Sequence, residues 1–148
     1  MSHDIQLVLS AFRCIKGIKF NKSLYEHRLI AQKLAYVMKT LGYTISSSFS
    51  WYLRGPYSHQ LAEEMYSIEN NQSVNEDFTR IKMFVQEEIN DTNKMELIGS
   101  LLYLIREGGR SLEKEDDLIF TLCSLKPQFS REEVKSAINK IRVQLHSF

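Results

Sequence analysis

Apolar residues recur three and four positions apart along most of the 148-residue chain, which is the spacing that gives an α-helix one buried face. One such helix is predicted from about Asp4 to Lys16, and another follows Ser130, where Ser130-Arg-Glu-Glu133 has the pattern of a capping box. The chain has the length of one domain. The pattern therefore predicts a mainly α-helical, single-domain bundle of about seven helices over residues 1–148.

Polar residues mark the predicted starts of the remaining helices. Ser23-Leu-Tyr-Glu26 resembles a second capping box, and Ser58 and Asp91 can each cap a helix through a side-chain oxygen. An apolar stripe from residue 74 to residue 89 predicts a further helix, and Ser111 begins a shorter one.

Residues 43–54 are the one stretch that favours β-structure, because aromatic and β-branched residues replace the helical pattern. We predict an extended insert or short β-hairpin there, with Phe49, Trp51 and Leu53 on the side that enters the core. Glycine tolerates unusual backbone angles and proline lacks a backbone donor, so the next residues can turn the strand sharply into a helix. The residues of this predicted strand-to-helix corner are Trp51, Gly55, Pro56 and Ser58.

The runs RLIAQKLAYVMKTLGY and FSWYLRGPYSHQLAEEMY, within residues 28–66, resemble the YwgA-like proteins of bacteria and archaea. A more distant resemblance is to the Panacea domain, the SocA-like antitoxin group. In both families a helix that contains the motif K-L-x-Y, here beginning at Lys33, precedes an aromatic strand that ends in Gly-Pro. A helix with a leucine near its start, here Leu61, follows the strand. The resemblance implies a mostly helical, non-enzymatic domain. Panacea members bind a toxin and neutralise it or hand it to a protease, but WYLRGPYS departs from their usual YGP context and matches the YwgA version better.

Catalytic chemistry finds little support in the sequence. His3, His27, His59 and His146 lack metal-ligand spacing, and no phosphate-loop or nucleophile-elbow pattern occurs. The acidic residues often stand in adjacent pairs, and neighbours on a helix point about 100° apart, which disfavours a shared acid-base site. We therefore predict a protein that is not an enzyme, with no catalytic residues, no metal and no cofactor.

Cysteine usage and hydropathy bear on the compartment. Cys14 and Cys123 stand far apart and are expected to be buried, reduced thiols. No run of 18 apolar residues occurs, and charged residues interrupt the N-terminal pattern where a signal peptide would need an apolar stretch. The expectation is a cytoplasmic protein that does not enter a membrane.

Positive charge is concentrated near the N-terminus, since residues 1–45 carry a net charge of +5 and the remainder −4. A winged-helix-like protein could use such a basic region to neutralise phosphates, with Arg54 near the wing. The overall charge of +1 and the pI of about 7.8 argue against a dedicated nucleic-acid binder, so this function is kept as the alternative. Its candidate contacts are Lys16, Lys19, Lys22, Arg28 and Lys33.

The leading hypothesis is a protein-interaction or regulatory module, antitoxin-like in the sense of the Panacea resemblance. Its candidate contact residues are Tyr52, Arg54 and Tyr57, because tyrosine and arginine contribute strongly when a partner desolvates them. Equally, Arg54 could pair with Glu63 or Glu64 and only fix the corner. The partner would be a toxin-like or regulatory protein, and homo-oligomerisation stays open.

Overall fold

The computed structural model describes residues 3–69 and 73–146, which form seven α-helices and one two-stranded antiparallel sheet. This confirms the prediction of a mainly helical bundle with a short hairpin. The elements in chain order are α1 (His3–Lys16), α2 (Tyr25–Thr40), β1 (Ser50–Tyr52), β2 (Gly55–Tyr57), α3 (His59–Ser67), α4 (Thr79–Val85), α5 (Thr92–Arg106), α6 (Glu115–Leu125) and α7 (Arg131–His146).

Helix α2 is the centre of the bundle, packed against α1, α3, α5 and strand β2. Every residue from Leu29 to Met38 is buried, so α2 has no solvent-exposed face over that stretch. A helix buried all round is normally apolar throughout. Helix α2 nevertheless carries Gln32 and Lys33 in the interior, and both therefore need polar partners inside the fold.

The hairpin lies slightly later in the chain than predicted. Trp51 pairs with Pro56 across the two strands, and residues 53 and 54 make the turn. Gly55 and Pro56 therefore belong to the returning strand, and the strand-to-helix junction lies at Ser58. Leu53 was predicted to point inward, but its place in the turn leaves it 93% exposed.

Residues 43–49 form no strand and are held by a different interaction. The buried carboxylate of Asp4, on α1, accepts hydrogen bonds from the backbone amides of Ser46 and Ser47 at 3.0 and 2.8 Å. The hydroxyl of Ser47 donates to the same carboxylate at 2.6 Å. These hydrogen bonds keep the pKa of Asp4 below its ordinary value although burial raises it.

Three predicted helix starts are confirmed by their caps. Ser58 accepts a hydrogen bond from the amide of Leu61 at 3.2 Å, and Asp91 accepts from two amides of α5. Ser130 and Glu133 form the reciprocal bonds of a capping box, both at 3.1 Å.

Other predicted boundaries were wrong. Helix α2 begins after Leu24 with no side-chain cap, because Ser23 belongs to a preceding turn in which its amide donates to Asn21. Helix α6 begins at Glu115, since the hydroxyl of Ser111 instead accepts from Glu113 in a local turn. The stripe over residues 74–89 contains only the short helix α4, with irregular chain before it and turns after it.

Candidate functional site

A cleft of about 460 Å³ opens between the N-terminal half of α2, the hairpin and α3. Its volume lies in the range of about 300–1,000 Å³ that is typical of ligand sites. Aromatic and arginine side chains form its walls, and aliphatic side chains form its floor. We call it the hairpin cleft, with walls of Tyr25, Arg28, Tyr52, Arg54, Tyr57 and Tyr66 and a floor of Leu29, Ala62 and Met65.

A buried ion cluster lies beneath the hairpin and centres on Glu96 of α5, which is 0% exposed. Its carboxylate accepts hydrogen bonds from Nε of Arg54 and from Nε2 of Gln128 at 3.1 Å, and it forms an ion pair with Nζ of Lys126 at 2.9 Å. The bond to Glu96 raises the pKa of Arg54. Arg54 therefore does pair with an acid, as the alternative interpretation expected, but the acid is Glu96 and not Glu63 or Glu64.

Three side chains hold the hairpin through its backbone. Nζ of Lys126 donates to the carbonyl of Leu53 at 2.8 Å, and Nζ of Lys33 donates to that of Pro56 at 2.7 Å. Gln32 bonds both backbone groups of Ser58, each at 2.9 Å. We call Gln32, Lys33 and Lys126 the backbone clamp. Because these side chains bind carbonyl and amide groups, they fix the path of the hairpin, and in the turn Leu53 faces solvent while Arg54 reaches Glu96.

Among the predicted site residues, Lys33 differs most from its predicted position. It is 1% exposed, so the prediction that it contacts nucleic acid is wrong. Burial lowers its pKa to about 7, against the opposing influence of Glu96 and with a further lowering by Lys126. Lysine stems are long and largely apolar, which allows the residue to cross the core and place its amine at a carbonyl.

The glycine of the Gly-Pro pair has a specific requirement. Gly55 adopts φ +96°, a backbone conformation that disfavours any residue with a Cβ. A Cβ at this position would also lie 2.8 Å from Oγ of Ser100 on α5. The close approach brings β2 against α5, and on the other strand the ring of Trp51 packs on Tyr103 with Nζ of Lys126 5.0 Å from the indole centroid.

The structure brings Tyr52, Arg54 and Tyr57 to the same cleft. The Tyr52 hydroxyl is hydrogen-bonded to Nε2 of His59 at 2.6 Å, and the rings of Tyr52, Tyr57 and His59 meet edge to face with centroids 5.2–5.3 Å apart. Burial raises the pKa of Tyr57. This rigid aromatic cluster leaves Tyr52 and Leu53 exposed at the rim.

Arg28 forms the opposite wall. Its guanidinium lies over the rings of Tyr25 and Tyr66, 5.8 and 5.3 Å from their centroids, and Nη1 donates to the carbonyl of Lys22 at 2.7 Å. Stacking between two aromatic rings restrains the guanidinium while leaving its N–H edge available for planar acceptors.

The remaining predicted basic contacts are dispersed. Nζ of Lys22 donates to the carbonyls of Tyr66 and Ile68 at 3.0 Å, and Nζ of Lys16 donates to Asn90 at 2.9 Å. Lys19 is exposed in the connector after α1. Of the five, Arg28 and the buried Lys33 line the hairpin cleft, and Lys16, Lys19 and Lys22 lie outside it, so that cleft does not unite the predicted nucleic-acid contacts.

The sequence analysis missed Glu96, Lys126 and Gln128. One signal was present for Glu96, because it is a single acid within the apolar run Met95-Glu-Leu-Ile98. A charged residue in such a stripe is costly to bury and is retained there with partners. No comparable signal marks Lys126, whose partners lie 30 and 73 residues away in the chain.

The described residues were also searched for metal and membrane features. Residues 3–69 and 73–146 contain no group of three His, Cys, Asp or Glu side chains placed to hold a metal ion. Over the same ranges no helix combines the length and apolar character that crossing a bilayer requires. Both cysteines are free, but Cys14 is exposed and Cys123 is half-buried, so the prediction that they are buried was wrong.

Comparison with known proteins adds no relative. No protein family model, no curated protein and no solved structure matches this chain.

Proposed function

We propose that this protein is a non-enzymatic protein-interaction or regulatory module of the YwgA-like kind, and that it binds its partner protein at the hairpin cleft. The observation that carries the proposal is the combination of exposed tyrosine and half-buried arginine side chains with a hairpin that is anchored through its backbone. Tyrosine and arginine are the residues that dominate binding energy in protein interfaces.

The anchoring of the hairpin supports the same function, because an already ordered hairpin loses less conformational entropy when a partner binds. A loop that must order when a partner arrives loses binding free energy for that ordering. The hairpin is already fixed by Lys33 and Lys126 below and by Gln32 at its end. Leu53 stands 93% exposed at its tip, where a partner can bury it with little reorganisation.

An antitoxin-like role, with a toxin as the partner, is the specific case that the Panacea resemblance suggests. The nucleic-acid alternative has weaker support, because Lys33 is buried and Lys22 is bonded to backbone carbonyls. A titration with duplex DNA at two salt concentrations separates the two, since phosphate neutralisation makes affinity fall steeply with salt.

The test is affinity capture from the native host with two matched variants, followed by reconstitution from purified components. Leu53→Ser removes the exposed tip, and Phe120→Ser removes a comparably exposed apolar side chain on α6. We expect a partner that binds the wild type and Phe120→Ser but binds Leu53→Ser at least about tenfold more weakly, the equivalent of one lost interface anchor.

Either of two results would contradict the proposal. The first is a reconstituted partner that binds both variants as tightly as the wild type or is lost only with Phe120→Ser. The second is a steep salt dependence for duplex DNA binding without any protein partner.

A further inference from the structure

Resting on the proposed function, we infer that the hairpin cleft recognises a segment of the partner protein in which an aspartate or glutamate stands beside a large apolar or aromatic residue. The acid would lie between Arg28 and Arg54, and the apolar side chain would lie on the floor of the cleft.

The charge of the cleft points to an acidic ligand. Its lining includes Arg28 and Arg54, and among residues 3–69 and 73–146 it contains no aspartate or glutamate. The carboxylate beneath it, Glu96, already faces two cations, Arg54 and Lys126. The site therefore has an excess of positive charge over a poorly solvated, apolar floor, where a charge-assisted hydrogen bond is stronger than in water.

The hydrogen-bond donors of the cleft are only partly used. A guanidinium has five N–H groups, and within residues 3–69 and 73–146 Arg28 donates a hydrogen bond only to the carbonyl of Lys22. Tyr57, whose hydroxyl can also donate a hydrogen bond, lines the same cleft. Arg54 donates to Glu96 and, at 3.4 Å, to Asn93, and its side chain is still 36% exposed. A carboxylate has acceptor sites for several such donors at once.

The floor of the cleft would select the apolar residue of the partner segment. Leu29, Ala62 and Met65 are apolar, and the methionine adapts to apolar side chains of different shape. Tyr25 and Tyr66 are each more than half exposed at the mouth, so they lose water when an apolar residue enters. A nucleic-acid backbone would offer nothing to bury on this floor, whereas a peptide with an acid next to an apolar anchor satisfies both parts.

The experiment is selection of random heptapeptides displayed on phage against the immobilised full chain. We expect enriched peptides to place Asp or Glu next to Phe, Trp, Leu or Met. The most enriched peptide is then synthesised with blocked ends, together with a copy in which the acid is replaced by its amide. The amide copy should bind at least about tenfold more weakly, the loss expected for one charge-assisted hydrogen-bonding group.

Variants of the protein locate the site. Arg28→Ala should weaken binding of the acidic peptide about tenfold, and Arg28→Lys should restore part of the loss, because it keeps the charge without the planar fork. Arg110→Ala is the matched control, because Arg110 is a surface arginine paired with Asp117 away from the cleft. The affinity of this variant for the acidic peptide should equal that of the wild type. Circular dichroism confirms that each variant is folded. If Arg28→Ala does not fold, the inference is tested by comparing the affinities of the acidic peptide and its amide copy for the wild-type protein.

Several results would overturn the inference: no enrichment above the starting library, enrichment of basic or uncharged peptides, equal binding of the acid and amide copies, or equal binding by wild type and a folded Arg28→Ala. A host partner that requires Leu53 but binds Arg28→Ala normally would refute this inference and leave the proposed function standing. Acidic peptides that bind as expected, with no host partner sensitive to Leu53→Ser, would refute the proposed function alone.

Discussion

Replacing Lys33 with methionine should change how the stability of the protein depends on pH. Methionine keeps a long, unbranched apolar stem in the core but removes the amine that donates to Pro56. In the wild type, burial lowers the pKa of Lys33 from its ordinary 10.5 to about 7. A neutral amine still donates hydrogen bonds, so the bond to Pro56 persists when the proton leaves.

The direction of this pH dependence follows from the number of protons that Lys33 binds in the folded and in the unfolded chain. Between pH 7 and 10.5 the unfolded chain holds a proton on Lys33 that the folded chain has released. The free energy of unfolding therefore rises with pH across this window, and below pH 7 the full cost of burying the charge is present. From pH 7 to pH 9 the wild type should gain about 2 kcal/mol that Lys33→Met lacks.

The variant also loses the partner of a buried carbonyl, which costs about 1–3 kcal/mol at any pH. The buried charge costs the wild type about 4 kcal/mol at pH 7 and about 2 kcal/mol at pH 9, so Lys33→Met should be more stable than the wild type near pH 7 and close to it at pH 9. The assay is urea unfolding followed by circular dichroism at pH 6, 7, 8 and 9 and constant ionic strength. Lys19→Met, at an exposed lysine, controls for the loss of one positive charge. Parallel pH profiles for wild type and Lys33→Met would refute the reasoning.

Three further substitutions test the scaffold of the site, each read as the free energy of unfolding in urea. Glu96→Gln should cost about 3–5 kcal/mol, because it leaves Lys126 buried without its counter-ion. A cost below 1 kcal/mol would mean that the ion cluster is not a stabilising unit. Gly55→Ala should cost about 1–3 kcal/mol and more than Gly109→Ala, since both have positive φ but only Gly55 would place a Cβ 2.8 Å from Ser100. Equal costs for the two glycines would contradict the close approach of β2 to α5. Ser130→Ala should cost about 1 kcal/mol through loss of the capping bond to Glu133, and an unchanged urea midpoint would argue against that cap.

Features determined by neighbouring residues could be predicted from the sequence. The caps at Ser58, Asp91 and Ser130 depend on contacts within three residues, and the apolar stripes report burial on one helix face. The capping box at Ser23 shows the limit of this approach. The same letters occur there, but Asn21 bonds the amide of Ser23 and the helix starts later.

The ion cluster could not be predicted, because its partners lie far apart in the chain. Arg54 was expected to pair with an acid of the next helix, whereas Glu96 is 42 residues away on α5. Spacing in sequence carries no information about such a contact. Lys33 was likewise assigned to solvent because lysine is rarely buried, and only the packing of α2 on all sides places it in the core.

The error in the predicted position of the hairpin had a different cause. The turn at Leu53 and Arg54 lacks the Asn-Gly or Asp-Gly pair that usually signals a two-residue hairpin loop. The nearby Gly-Pro pair was therefore interpreted as the corner between the strand and the next helix. Its real place is in β2, where the positive φ of Gly55 allows close contact with α5 and Pro56 offers its carbonyl to Lys33.

The backbone clamp has a consequence for how this protein can change over evolution. Since Lys33 and Lys126 bind carbonyl oxygens, the hairpin keeps its shape whatever side chain occupies position 53. Substitutions at position 53 should then have little effect on folding, so the chemistry of this exposed tip can vary while the hairpin keeps its position.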